Sequence, residues 1–369
     1  MPPRLSPIDA ISPAFQRLAD MLFRPFRVSR WVKIGFIGWL AGGGAGGSLN
    51  YNTSRPSFPA GMEKFDPFKD LPKAMAMVQA WLVGHLVLVV LVAALVVLLS
   101  LAFGYLSCRF RFIQLDAVLT RDPAIKRAWR QYGPQTNRFF GFWAIFMLAS
   151  WLALFFIIVR PLWMALKSGG FSKDPLGALF GLLATLLLGL LIFGLVAGII
   201  TTLANDFVVP LLAIEDLSLG EAWSYLGTLV SAEPGAFAGY MGMKLVLYIV
   251  GGIASSVIFL ICFLILLLPM LLLVFIGILA ATALKTLGAA GAILGAVLAV
   301  VGALVGVALI LLLTMLAIAP FAVFFTSYSV YFLGGRVPRL GAILWPAPPV
   351  PPAPLPAGMP PPSPGPWTS

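Results

Sequence analysis

The chain has 369 residues, of which 60% are hydrophobic and only 10% charged, and its mean hydropathy is +1.01. A soluble domain carries about 25% charged residues, so most of this surface must meet lipid. Disorder, a disulfide scaffold and a soluble enzyme are excluded for the bulk of the chain. The net charge of +11 reads as basic residues held beside a membrane, not as a nucleic-acid surface, so no nucleic-acid partner is expected. The two cysteines, Cys108 and Cys262, lack metal-ligand spacing and read as packing thiols. The expected fold is all-α: a polytopic transmembrane helical bundle.

A crossing needs about 20 apolar residues. Residues 1–30 form an N-terminal segment with one amphipathic helix and no apolar core of a signal peptide. Crossings are expected at Val32–Leu49, Val78–Leu106, Phe139–Leu166 and Leu176–Leu203. The glycine run Gly42–Gly47 lacks the lysine and hydroxyl of a phosphate loop. From Ala236 to about Leu333 only Lys244 and Lys285 are charged, and Pro269 and Pro320 are expected to break the run. Ala236–Leu266 and Ala289–Ile318 then cross, and Leu267–Leu284 is an extra crossing or a re-entrant segment. The count is six, or eight if this last stretch makes two hairpins. The transmembrane domain ends near 341, and 342–369 is a proline-rich tail, read as a disordered spacer.

An internal repeat organises these elements. Ser12-Pro13-Ala14-Phe15-Gln16-Arg17 resembles Asp122-Pro123-Ala124-Ile125-Lys126-Arg127, each with a capping residue before a proline. Ser218-Leu219-Gly220-Glu221 is a capping box, and Ala222-Trp223 echoes Ala128-Trp129. Helices are expected near 12, 122–135 and 216–231. Their apolar stripes (Ile11, Phe15, Leu18 and Leu22 in the first) suit a membrane interface. The architecture is therefore three units, each an amphipathic elbow followed by a transmembrane hairpin.

Basic residues crowd the N-terminus, the connection after the second crossing and the C-terminal end, which places all three in the cytoplasm. The connection between crossings four and five disagrees: it holds Asp206, Glu215, Asp216, Glu221 and Glu233 and no basic residue.

Few residues can carry chemistry. His85 is the one histidine, and an ionisable group inside a crossing is a functional candidate. Asn205-Asp206 and Lys244 end up at one depth, either as a polar cavity with His85 or as a snorkelling lysine. Arg24, Arg27, Arg30, Arg109 and Arg111 are candidates for lipid head-group contact. Gly291, Gly295, Gly302 and Gly306 form a small-residue seam for helix packing. No catalytic constellation, metal site or cofactor site is found, so none is expected. The expected partners are membrane lipids, a second copy of the chain or another membrane protein.

Phe23-Arg24-Pro25-Phe26 with Trp31, Asp206-Phe207-Val208-Val209-Pro210 and Ser327-Tyr328-Ser329-Val330-Tyr331-Phe332-Leu333 resemble a family of uncharacterised bacterial multi-pass membrane proteins. They are also distantly similar to the membrane domain fused to some glycerophosphoryl diester phosphodiesterases. The resemblance implies a protein of the bacterial cytoplasmic membrane with hairpin repeats. It brings no catalytic residue, because the phosphodiesterase barrel has no counterpart here. The expected function is a non-enzymatic scaffold or lipid-interacting role; the alternative is a transporter or channel component with a polar cavity near Asp206, Lys244 and His85.

Overall fold

The structure is a computed structural model that describes residues 3–42, 81, 83–167, 174–284 and 288–346. The glycine run from 43, the first inter-crossing loop, Lys285, the Cys262 side chain and the tail from 347 lie outside the described residues. Helices account for nearly everything else, and no strand occurs among the described residues. In chain order they are α1 (Ile11–Leu22), α2 (Val28–Ala41), α3 (Leu86–Thr120), α4 (Ile125–Gln131) and α5 (Gly133–Lys167). Then come α6 (Pro175–Leu203), α7 (Val209–Ile214), α8 (Leu219–Ala232), α9 (Pro234–Leu284), α10 (Gly288–Gly334) and α11 (Pro338–Leu344). A π-helical turn at Ala204–Val208 joins α6 to α7.

Five described helical runs are long and apolar enough to cross a membrane: Leu86–Thr120, Gly133–Ala165, Leu176–Ile214, Pro234–Leu268 and Ile293–Gly334. The expected first crossing begins in α2, and its far half falls outside the described residues. The last stretch corrects the sequence reading. Neither Pro269 nor Pro320 ends a helix; α9 runs unbroken through 51 residues and α10 through 47. Leu267–Leu284 is thus neither re-entrant nor a separate crossing, but the last part of α9. Apolar surroundings supply no water to compete for backbone groups, so a helix tolerates an internal proline there.

The three elbows are α1, α4 and α8. Only α8 starts as its sequence predicts: Glu221 N donates to Ser218 Oγ at 3.4 Å, and Ser218 N donates to Glu221 Oε2 at 2.8 Å. In α1 the N-cap is Ala10, and in α4 it is Ala124, so neither Ser12 nor Asp122 caps. Pro13 still sits in the first turn, where its missing N–H breaks no intrahelical bond. The inward face of α1 is Ala10, Ala14, Arg17 and Met21, while Phe15 is exposed. Small side chains at Ala10 and Ala14 let α1 lie close against α10; of the expected stripe Leu22 is buried, and Phe15 packs on the ring of Phe324.

The units form a ring. Each elbow packs on the returning helix of the preceding unit: α4 on α3, α8 on the π turn and α7 at the end of α6, and α1 on α10. The descending helices follow the same order, α5 on α3 and α2 on α10, while Phe237 of α9 packs on Phe207 of the π turn. Close approach of α2 to α10 requires glycine: a Cβ on Gly35 would lie 2.0 Å from the Met315 carbonyl oxygen.

One hub results, built from the ends of the helices. Its core includes Phe112, Leu115, Phe139, Phe207, Leu211, Tyr240, Tyr328 and Phe332. Among the described residues every charged side chain except Arg160, Lys167 and Asp174 belongs to this end. The acidic connection is explained here. Glu233 pairs with Arg4 at 2.9 Å and Arg336 at 2.8 Å, Glu215 with Arg339 at 3.4 Å, and Asp216 with Arg138 at 3.8 Å. Those carboxylates face arginines from the N-terminus, the second connection and the C-terminal end, so all four segments share one side. Arg4, Leu5, Ala10 and Ala14 of the N-terminal segment pack into the hub. At the C-terminal end α11 runs to Leu344, and Trp345 packs on Tyr331.

Candidate functional site

The hub centre is where the returning helices α3, α6 and α10 meet. The local sequence around Asp206 dictates its backbone. A proline clashes with the carbonyl of the residue four before it and donates no hydrogen bond. For Pro210 that residue is Asp206, and the chain answers with the π turn, which widens the helix there. The Asp206 carboxylate then faces α9. Tyr240 donates its hydroxyl to Asp206 Oδ2 at 2.7 Å, and the Lys244 ammonium forms a close ion pair with the same oxygen. Both partners are buried. The Tyr240 ring stacks on Tyr328 of α10, with centroids 5.0 Å apart, and Lys244 also lies over the Tyr248 ring.

Arg111 of α3 completes the cluster. Its Nε donates to the Ala41 carbonyl at 3.0 Å, and its charge is within electrostatic reach of Asp206 and Tyr248. One cation thus pairs with the carboxylate and a second lies within its electrostatic reach. Three polar atoms in the neighbourhood lack a protein partner: Asn205 Oδ1, Ser327 Oγ and Tyr328 Oη. Chemically the cluster is a charge-paired, hydrogen-bonded knot joining units two and three. Removal of either partner would strand a charge in a nearly water-free interior.

The candidates read from sequence separate into groups. Asn205, Asp206 and Lys244 are brought together. His85 is not: it stands at the start of α3, exposed, stacked on Trp81, with Nδ1 2.9 Å from the Trp81 carbonyl oxygen. Twenty-six residues of helix at 1.5 Å each put it about 39 Å from Arg111 along the axis. The expected cavity shared by His85 and Asp206 does not form, because His85 stands at the start of α3 whereas Arg111, the α3 residue within reach of Asp206, lies toward the other end of that helix.

The arginines also divide. Arg24 and Arg27 are exposed at the α1–α2 turn, beside exposed Phe23 and Phe26, and Arg30 is half-buried. Arg109 is buried, with its guanidinium over the Trp129 ring and Nη2 donating to the Trp129 carbonyl. Arg111 is drawn into the central cluster. Neither presents a free cation to a head group, because the elbow α4 and the C-terminus of α2 cover them. The glycine seam is covered only in part. A Cβ added at Gly295 or Gly302 would meet nothing within 4 Å, while Gly291 is buried and Gly306 half-buried.

A second cluster went unnoticed in the sequence. Asp116, at the end of α3, is buried and accepts a hydrogen bond from Arg127 Nη2 at 2.8 Å and one from the Tyr132 hydroxyl at 3.3 Å. Burial, then the adjacent carboxylate, pushes the Tyr132 phenol up to about 12. The repeat held the signal. Arg17 and Arg127 occupy the same place in the two matching elbow motifs, and both point at the neighbouring return helix. Arg127 meets Asp116 there, whereas Arg17 lies over the ring of Tyr331.

Geometry and composition together define a multi-pass helical membrane protein built of three elbow-hairpin units. The chain belongs to the family of unknown function DUF7544, which matches residues 5–343. No curated protein and no solved structure matches it. No match links it to glycerophosphoryl diester phosphodiesterases.

Proposed function

We propose that this protein is a non-enzymatic scaffold of the bacterial cytoplasmic membrane that works through the lipids around it. One observation carries the reading: its polar groups are gathered into the hub, while its apolar helices keep most of their surface exposed. In the most apolar stretch of four of the five spans no residue is buried, and in the fifth only 6% are. These helices pair as hairpins yet leave most of their surface open to acyl chains or to other membrane helices. The ion pairs that tie four charged segments to one end, with the excess of basic residues there, support a cytoplasmic hub and cytoplasmic termini. The Asp206–Lys244 knot is satisfied internally, which favours a structural role for it.

The unpartnered hydroxyls of Ser327 and Tyr328 favour the second reading, a transporter component whose site is the same knot. Thermal unfolding of the purified full-length chain separates the two. On the scaffold reading, added phospholipids raise the melting temperature by similar increments in wild type, Lys244→Ala and Asp206→Asn. A water-soluble metabolite that stabilises wild type but neither variant would overturn it in favour of transport.

A further inference from the structure

The second polar cluster opens onto a groove of about 450 Å³ between the end of α3, the elbow α4, α7 and α11. Its chemistry is ordered by depth. Innermost is the Asp116 carboxylate, whose residue is 3% exposed, and at the mouth stands Arg127, whose side chain is 47% exposed. Gln131 lies one helical turn beyond Arg127 and lines the same groove. The far wall is apolar: Ala213, Ile214 and Ile343, the last of these exposed. Trp129, on the same elbow, is partly exposed, as suits a helix at a membrane interface.

A buried anion, then an exposed cation, then an apolar wall is the complement of an ammonium, a phosphate and an acyl chain. We propose that this groove binds the head group of an amine-bearing zwitterionic phospholipid, its ammonium on Asp116 and its phosphate on Arg127 and Gln131. The Asp116 Oδ1 atom is the receptive one. It is held only by the long Tyr132 bond, while Oδ2 keeps the short bond to Arg127. Thr120 Oγ1 accepts a second hydrogen bond from Arg127 Nη2 at 2.9 Å and fixes the guanidinium at the mouth. A primary ammonium donates hydrogen bonds to a carboxylate, whereas a trimethylammonium does not, so the site discriminates among head groups of similar size. The inference rests on the lipid-scaffold reading and names the lipid.

The test presents the full-length protein in detergent with equal amounts of phosphatidylethanolamine, phosphatidylcholine and phosphatidylglycerol of identical chains. Bound lipids are counted by native mass spectrometry. Wild type is expected to favour phosphatidylethanolamine by about tenfold, and Asp116→Asn to lose that preference, as removal of one charge-assisted hydrogen bond implies. Because Asp116 is buried and its variant could misfold, Ile343→Trp narrows the groove from the opposite wall and should weaken the same preference. Equal binding of the three lipids by wild type, or an unchanged preference in both variants, overturns the site. Soluble phosphoethanolamine binding as tightly as the lipid overturns the membrane source. Lipid retained without selectivity defeats this inference alone. A wild-type protein that retains no lipid defeats the scaffold reading as well.

Discussion

Asp206 and Lys244 show what a buried charge does in this protein. Loss of one partner from such a pair costs about 3–5 kcal/mol, whereas replacing both by apolar groups is often neutral. Lys244→Met should therefore destabilise the hub by about that amount, and Lys244→Met with Asp206→Leu should recover most of it in detergent thermal melts. A loss in the double variant equal to the sum of the Lys244→Met and Asp206→Leu losses would mean that the two charges do not act as a pair. The capping box of α8 gives a pH dependence. Hydrogen bonds from Ser218 hold the Glu221 carboxyl below its usual range. A folded pKa below the unfolded value adds stability above the ordinary carboxylate pKa of about 4.3, and that stability is lost as pH falls through the folded value. Glu221→Gln should flatten that acid limb, as followed by hydrogen exchange of the first turn of α8.

Among the elements, α2 and α10 make the closest approach. A Cβ at position 35 would meet the backbone of Met315, which cannot swing aside as a side chain can. Gly35→Val should cost about 1–3 kcal/mol, the range for overpacking with backbone displacement. Gly302 lies in the same α10 with open space around it. Gly302→Leu should change monomer stability by less than about 0.5 kcal/mol. A large loss there would show that the glycine seam already has a partner helix. The same contrast bears on the first elbow: α1 turns Ala10 and Ala14 inward because small residues permit close packing, and its Phe15 lies at the edge, against Phe324.

At the scale of the molecule, the three units close into a ring whose polar groups share one end. Arg4, Arg138, Arg336 and Arg339 converge on the carboxylates of a single connection. Cysteines placed at Gly220 and Arg339 should therefore react with a membrane-impermeant maleimide from the same side of sealed vesicles. One at Asp174, at the far end of the α5–α6 hairpin, should react from the other side. Labelling of 220 and 174 from one side would overturn this topology.

The class of fold was legible in the sequence, because hydropathy and the 3.6-residue period are local properties of a chain. So were the repeat, the capping box of α8 and the meeting of Asp206 with Lys244, whose depths follow from counting residues along two adjacent crossings. Helix breaks were misjudged at Pro269 and Pro320, since a proline's effect depends on whether water is present to take up the freed carbonyl. His85 was misplaced for a similar reason: periodicity locates a residue along its helix but says nothing about which helix ends gather together. The acidic connection, the Asp116–Arg127–Tyr132 cluster and the burial of Arg109 and Arg111 depend on contacts between segments far apart in the chain. Local sequence decides which residues form helices and how deep they lie. Only packing of the units against one another decides which charges meet, because that choice is made by shape and complementarity across the ring.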